Sequence, residues 1–166
     1  TSALADLMGM ALACDQTRVL SAWYTDPFSD VLFPTADAGH HQLTHDEPGD
    51  QPQVNDIVKG IMGDLGQLIH KLKAIPEGDT TLLDNTLVLA TTDVSYGRSH
   101  AINEYPMILA GGGGDYRLGV HHRYEFAENA SNVTLSLMRS MGMPLSSFGE
   151  DDAYTERGLP ELERES

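Results

Sequence analysis

Cysteine is almost absent from this chain. Cys14 stands alone among 166 residues, so no internal disulfide can staple the fold. Its place in an apolar helical run points to a small buried hydrophobe rather than a nucleophile. Positive charge is also scarce: 10 Lys and Arg face 25 Asp and Glu, giving a formal charge of -15 with no basic stripe to neutralise phosphates. Nucleic acid and anionic membrane surfaces are therefore excluded as expected partners, whereas cations suit such a chain. No apolar run approaches the roughly 20 residues that cross a bilayer, and no signal-peptide pattern opens the sequence. The chain starts at Thr1 without Met, as expected of a processed protein or of a fragment whose targeting segment lies upstream.

What is present reads as a folded domain over residues 1–149, followed by a solvated acidic tail over 150–166 that gathers Glu150, Asp151, Asp152, Glu156, Glu161, Glu163 and Glu165. Leu4, Leu7, Met8, Ala11 and Leu12 follow Ser2 at helical spacing and predict a helix with one buried face, ended by Asp15. Val19 to Tyr24 has the content of a short buried strand. From Thr25 to Pro52, prolines and glycines break any regular pattern, and an irregular stretch this long is usually functional. Val54, Ile57, Val58, Ile61, Met62, Leu65, Leu68, Ile69 and Leu72 predict a long helix, with Ile75-Pro76-Glu77-Gly78 as its stop. Thr86–Thr92 and Pro106–Ala110 read as strands covered on both faces, and Val133 to Met141 as a last helix before Gly142 and Pro144. The order of elements predicts an α/β fold, a mostly parallel sheet flanked by helices. In such sheets ligands lie outside the carboxyl ends of the strands, where Asp93 and the Gly111–Gly114 turn are expected.

Histidines and acids fall in two clusters, Gly39-His40-His41-Gln42-Leu43-Thr44-His45-Asp46 and, after the first long strand, Asp93 to His100. Imidazole is the commonest metal ligand, and His41 and His45, four apart, can share one side of a helical turn, with Asp46 adding an oxygen donor. The alternative is that they are exposed loop histidines; His40 is the spare. Asp93 follows a buried strand, so a metal, an arginine or backbone donors must compensate its charge, and Ser95 or Arg98 can serve. His100 is near enough in sequence to curl back to the same site. These residues name a divalent ion, zinc, calcium or magnesium, as the cofactor. His122 and Arg123 form a cationic patch that suits an anionic substrate, or else plain surface. The glycine run lacks a following Lys-Ser or Lys-Thr and is no P-loop, and Asn129 and Asn132 head two weak glycosylation patterns.

These residues resemble the C-terminal part of a bacterial family of uncharacterised proteins named for an HXXSHH motif, related to the alkaline phosphatase and sulfatase-like superfamily. His41-Gln42-Leu43-Thr44-His45-Asp46 carries the likeness to the naming motif. Asp15 to Val19, Leu82 to Val88, Tyr105 to Gly112, Met141 to Pro144 and Phe148-Gly149 carry the rest, so the likeness covers most of the chain. Thr44 stands for the motif's serine and Asp46 for its final histidine. Val94 follows Asp93 where the superfamily usually places a histidine, so its complete two-metal centre is not expected here.

The resemblance implies the C-terminal portion of an alkaline phosphatase-like domain, an exported protein in the periplasm or secreted, and a metal-dependent phosphate or sulfate ester hydrolase. The superfamily's nucleophile segment has no counterpart in this chain. An N-terminal segment or partner chain completing the sheet is therefore expected, and with it an oligomer. The other implied outcome is a non-catalytic structural or binding component of an exported assembly.

Overall fold

The computed structural model describes residues 2–124 and 128–164. Thr1, and Glu165 of the expected tail, lie outside the described residues. Contacts divide the chain into two compact units, Thr1–Leu82 with Asp93–Ala101, and Leu83–Thr92 with Ile102–Ser166.

The first unit is helical. Helix α1 spans Ser2–Ala13, α2 His40–Asp46 and α3 Pro52–Ala74. Apolar spacing determines α3: Ile57, Leu65, Leu68 and Leu72 form its buried stripe, and Ile57 is only 1% exposed. Pro52 opens the helix, where its missing N–H costs nothing. Helix α1 forms where the apolar periodicity predicts but buries a different face. Its buried residues are Ala5 and Gly9, while Leu4, Leu7 and Met10 are exposed. Close approach explains the choice, because a Cβ at Gly9 would stand 2.9 Å from Ile75 Cδ1 just beyond α3, leaving room only for small residues. An ion pair between Lys71 and Asp6 joins the two helices. Cys14 falls in the turn after α1 and is exposed, not buried. A minor hairpin, β1 (Pro76–Glu77) with β2 (Thr80–Thr81), follows α3.

Two expectations for this unit fail. Val19 to Tyr24 forms no strand: Val19 is 84% and Trp23 68% exposed, and without a neighbouring strand its β-branched residues have nothing to pair with. The stretch 25–52, expected to be irregular throughout, contains α2, a single short helix between proline-rich arms.

In the second unit, β3 (Val88–Thr91) pairs antiparallel with β4 (Met107–Ala110), in register Val88 with Ala110 and Thr91 with Met107. The expected mostly parallel sheet is therefore absent. Among the described residues helix makes up 39%, and the strands form only two small antiparallel two-strand sheets, so the fold is mixed rather than α/β. The physical reason lies in the connection 92–106. It carries one 3-10 turn, Gly97–Ser99, and no helix of the kind that usually returns a chain to start a parallel neighbour. Nor are the strands covered on both faces, since Leu89 and Ile108 are exposed. Because the pair is antiparallel, the ends that precede Asp93 and Gly111 point in opposite directions, and the predicted shared rim does not exist. Gly111, Gly112 and Gly113 instead pack against the backbone of Asp84, Asn85 and Thr86, with Gly111 at φ 90°, and Gly114 lies against Ser140.

Helix α4 (Ser131–Ser140) buries Leu135 and Leu137 together with polar Asn132 and Ser136. Ser136 Oγ donates to Glu163 Oε1 at 2.7 Å and accepts the Leu159 N–H at 2.6 Å. Thr155 Oγ1 donates to Asn132 Oδ1 at 2.6 Å. The described part of the stretch read as an acidic tail, residues 150–164, thus lies against α4 in this unit, with Leu159 and Leu162 buried. Asn132, one of the two glycosylation candidates, is only 4% exposed and is consumed by this network. Among the described residues no helix is long and apolar enough to cross a membrane.

Gly60, Gly63 and Gly66 sit in α3 with open space where a Cβ would stand, nothing lying within 4 Å. Each costs the helix about 1 kcal/mol relative to alanine. Gly63→Ala is expected to raise stability by about 0.5–1 kcal/mol in urea denaturation.

Candidate metal centre

Helix α2 is too short to hold itself in water, and its position is set by reciprocal capping with α3. Gln51, the N-cap residue of α3, adopts a left-handed conformation (φ 50°, ψ 60°) that turns its side chain back onto α2. Its amide nitrogen donates to the carbonyls of Thr44 at 2.9 Å, Glu47 at 3.2 Å and Leu43 at 3.3 Å; the helix end leaves the Thr44 carbonyl without an intrahelical partner, whereas that of Leu43 also accepts the Glu47 N–H at 3.0 Å. In return the buried Glu47 carboxylate accepts the N–H groups of Gln53 at 3.0 Å and Val54 at 3.1 Å, at the positive end of the α3 dipole. Leu43 plugs the underside of α2 into the core.

Four-residue spacing on this helix places His41 and His45 side by side, with ring centroids 4.8 Å apart. The third imidazole comes from the far side of the sequence. Tyr96 and Ala101 bridge to form a tight loop, and Arg98 donates to the Glu47 carbonyl at 2.7 Å, tying that loop to the end of α2. Gly97 meets α2 at Thr44, where a Cβ would stand 2.5 Å from the Thr44 Cβ, so no larger residue fits at this approach. His100 follows in the left-handed region (φ 51°, ψ 35°), a backbone state that costs a side-chain-bearing residue about 1–2 kcal/mol. That turn brings its ring to within 5.0 Å of the His45 ring and 5.8 Å of the His41 ring, centroid to centroid.

His45 Nε2 and His100 Nε2 are 3.1 Å apart. Two nitrogens each about 2.0–2.1 Å from one zinc ion stand about 2.9 Å apart at a right angle and about 3.3 Å apart at the tetrahedral angle. The observed separation falls inside that window. One donor atom from each of His41, His45 and His100 lies within 4.8 Å of the others, so closing the trio on one ion asks at most about 1.5 Å of ring movement. Three histidines thus form a cluster that could hold a metal ion. Without an ion, the 3.1 Å contact is a hydrogen bond from whichever ring nitrogen carries its proton.

The sequence named five ligands, and the fold brings three of them together. Asp46 and Asp93 stand outside the trio. Asp93 acts electrostatically on His40 instead, raising its pKa, while burial, the larger effect, and the neighbouring His41 lower it; the net shift is downward. Ser95 Oγ and Arg98, expected as partners of Asp93, donate to the carbonyls of Ala101 and Glu47. His122 and Arg123 belong to the second unit, where Arg123 pairs with Glu104 and the His122 ring lies 4.3 Å from that of Tyr124. Sequence reading missed Glu47, Gln51 and Phe28, whose ring lies 4.9 Å from that of His41, tilted by 42°. An acid and an amide flanking Pro48-Gly49 ahead of Pro52 are a signal for paired caps, but only once α2 is known to be helical.

No family model, curated protein or solved structure matches this chain. The family likeness therefore rests on its motif residues alone.

Glu47→Ala removes both α3 cap bonds, and a loss of about 1–3 kcal/mol in urea denaturation is expected. The same variant is expected to weaken zinc binding, because α2 loses its anchor.

Proposed function

We propose that this chain is a metal-binding domain in which His41, His45 and His100 hold one zinc ion. The observation that carries the reading is the 3.1 Å separation of two imidazole nitrogens, with a ring nitrogen of the third histidine within 4.8 Å of the others. An all-imidazole donor set favours zinc over calcium and magnesium, which take oxygen ligands. Three protein ligands leave a fourth position open, the pattern of catalytic rather than structural zinc sites. When bound, such an ion supplies Lewis-acid charge stabilisation to an ester under attack. Within the chain, α2 orients two imidazoles, the Arg98 tie orients the third, and Thr44 Oγ1, donating to the His41 carbonyl at 2.7 Å, steadies the turn that carries His41.

Phosphate or sulfate ester hydrolysis is the activity that the HXXSHH resemblance suggests, and export to the periplasm or medium is the location it suggests. A non-catalytic binding role is the second reading, favoured by the lack of any counterpart to the superfamily's nucleophile segment. Calorimetry with zinc, calcium and magnesium chlorides tests the first step: one zinc per chain is expected, with calcium and magnesium far weaker. His100→Gly accepts the left-handed backbone without strain, so it is expected to keep or slightly raise metal-free stability while losing zinc affinity by more than about tenfold. Retained zinc affinity in that variant overturns the site. Zinc-dependent turnover of nitrophenyl phosphate or sulfate decides for the hydrolase, and its absence for the binding role.

A partner chain that adds to β3 and β4 is the remaining part of the proposal. Two paired strands are marginal alone, and among the described residues no third strand pairs with either. Native mass spectrometry is expected to show a complex heavier than the 18.1 kDa chain.

A further inference from the structure

Phe28 is 77% exposed, yet it is held in one place. Asp26 Oδ1 accepts the Phe28 N–H at 2.9 Å and the Asp26 carbonyl accepts that of Ser29 at 3.0 Å, closing a tight turn around Pro27. The next residue is pressed onto the start of α2, where a Cβ at Gly39 would stand 2.6 Å from the Ser29 carbonyl oxygen. The outcome is an aromatic ring fixed 4.9 Å from His41, tilted by 42°, with most of its surface open to water. A ring serving only to orient His41 would be expected to bury its other surface in the core; this one does not.

The charge of the site narrows what can lie against that ring. Three neutral imidazoles leave the two positive charges of a bound ion uncompensated, and neither Asp46 nor Asp93 joins the trio. An external anion is therefore the natural fourth ligand. The chain's own charge of -15 opposes multiply charged anions more strongly than singly charged ones, which favours a carboxylate over phosphate. We propose that Phe28 forms the apolar wall of a subsite beside the three-histidine centre, one that selects small aromatic carboxylates. The carboxylate meets the metal's open position and the aromatic group stacks on Phe28. This inference rests on zinc binding by the trio and adds the class of ligand that such a site takes.

The test uses the full chain, first titrated with zinc chloride and then, zinc-loaded, with sodium benzoate, sodium acetate or inorganic phosphate in a calorimeter. Benzoate is expected to bind about three- to tenfold more tightly than acetate, the range given by one aromatic contact, and more tightly than phosphate. In the zinc-loaded protein Phe28→Ala is expected to equalise benzoate and acetate, and Phe28→Tyr to retain the preference. Equal affinities in the unaltered protein, a preference that survives Phe28→Ala, or tighter binding of phosphate overturns the subsite while leaving the zinc site intact. Failure of zinc to bind at all overturns the metal reading, and the subsite with it.

Discussion

Glu47 and Gln51 hold the ends of two helices at once, and the geometry of the histidine centre depends on that exchange. A helix as short as α2 leaves nearly all of its terminal carbonyls without internal partners and has little cooperative stability of its own. Gln51 covers those carbonyls; Glu47 covers the first N–H groups of α3. The anchor for both is α3, whose buried leucine and isoleucine stripe makes it the firmest element of its unit. The position of two imidazoles is thus inherited from a long helix through a pair of side-chain caps. The third is inherited from the same place, since Arg98 fastens the His100 loop to the Glu47 carbonyl.

Local strain accompanies this arrangement. Gln51 and His100 both occupy the left-handed region, where a side chain is disfavoured, and Gly97 approaches Thr44 too closely for any Cβ. Strained backbone persists only when surrounding contacts over-determine it, and such positions gather at ligand sites. Here each outlier has an identifiable effect: Gln51 turns toward the α2 carbonyls, and His100 turns its ring toward His45. A glycine at position 100 would relax the backbone, but it would remove a donor.

The second unit is stabilised differently. Helix α4 buries serine and asparagine beside its leucines, and the described C-terminal segment answers each polar group with a partner: Glu163 and the Leu159 N–H for Ser136, Thr155 for Asn132. Among the described residues no buried side-chain nitrogen or oxygen lacks a partner. Such networks hold a segment in one register, because a shift would leave several buried polar groups unpaired at once. The acids near the end of the chain are consequently divided between solvent and structure. Glu163 belongs to the packing, a role that charge counting could not assign.

The sequence by itself determined the type and place of most elements, because side-chain periodicity is a local property. Helix α3, strands β3 and β4 and helix α4 all lie where their apolar spacing puts them. It also determined that His41 and His45 share a face once their segment is helical, since four-residue spacing requires it. The tertiary structure decided what depends on partners distant in sequence. Strand direction followed from the path of the 92–106 connection, and the buried face of α1 from how closely α3 approaches. Whether histidine or carboxylate joined the centre was likewise beyond local pattern: Asp93 and His100 are near in sequence, but a left-handed turn and one arginine bond bring the histidine to His41 and His45, while Asp93 acts on His40.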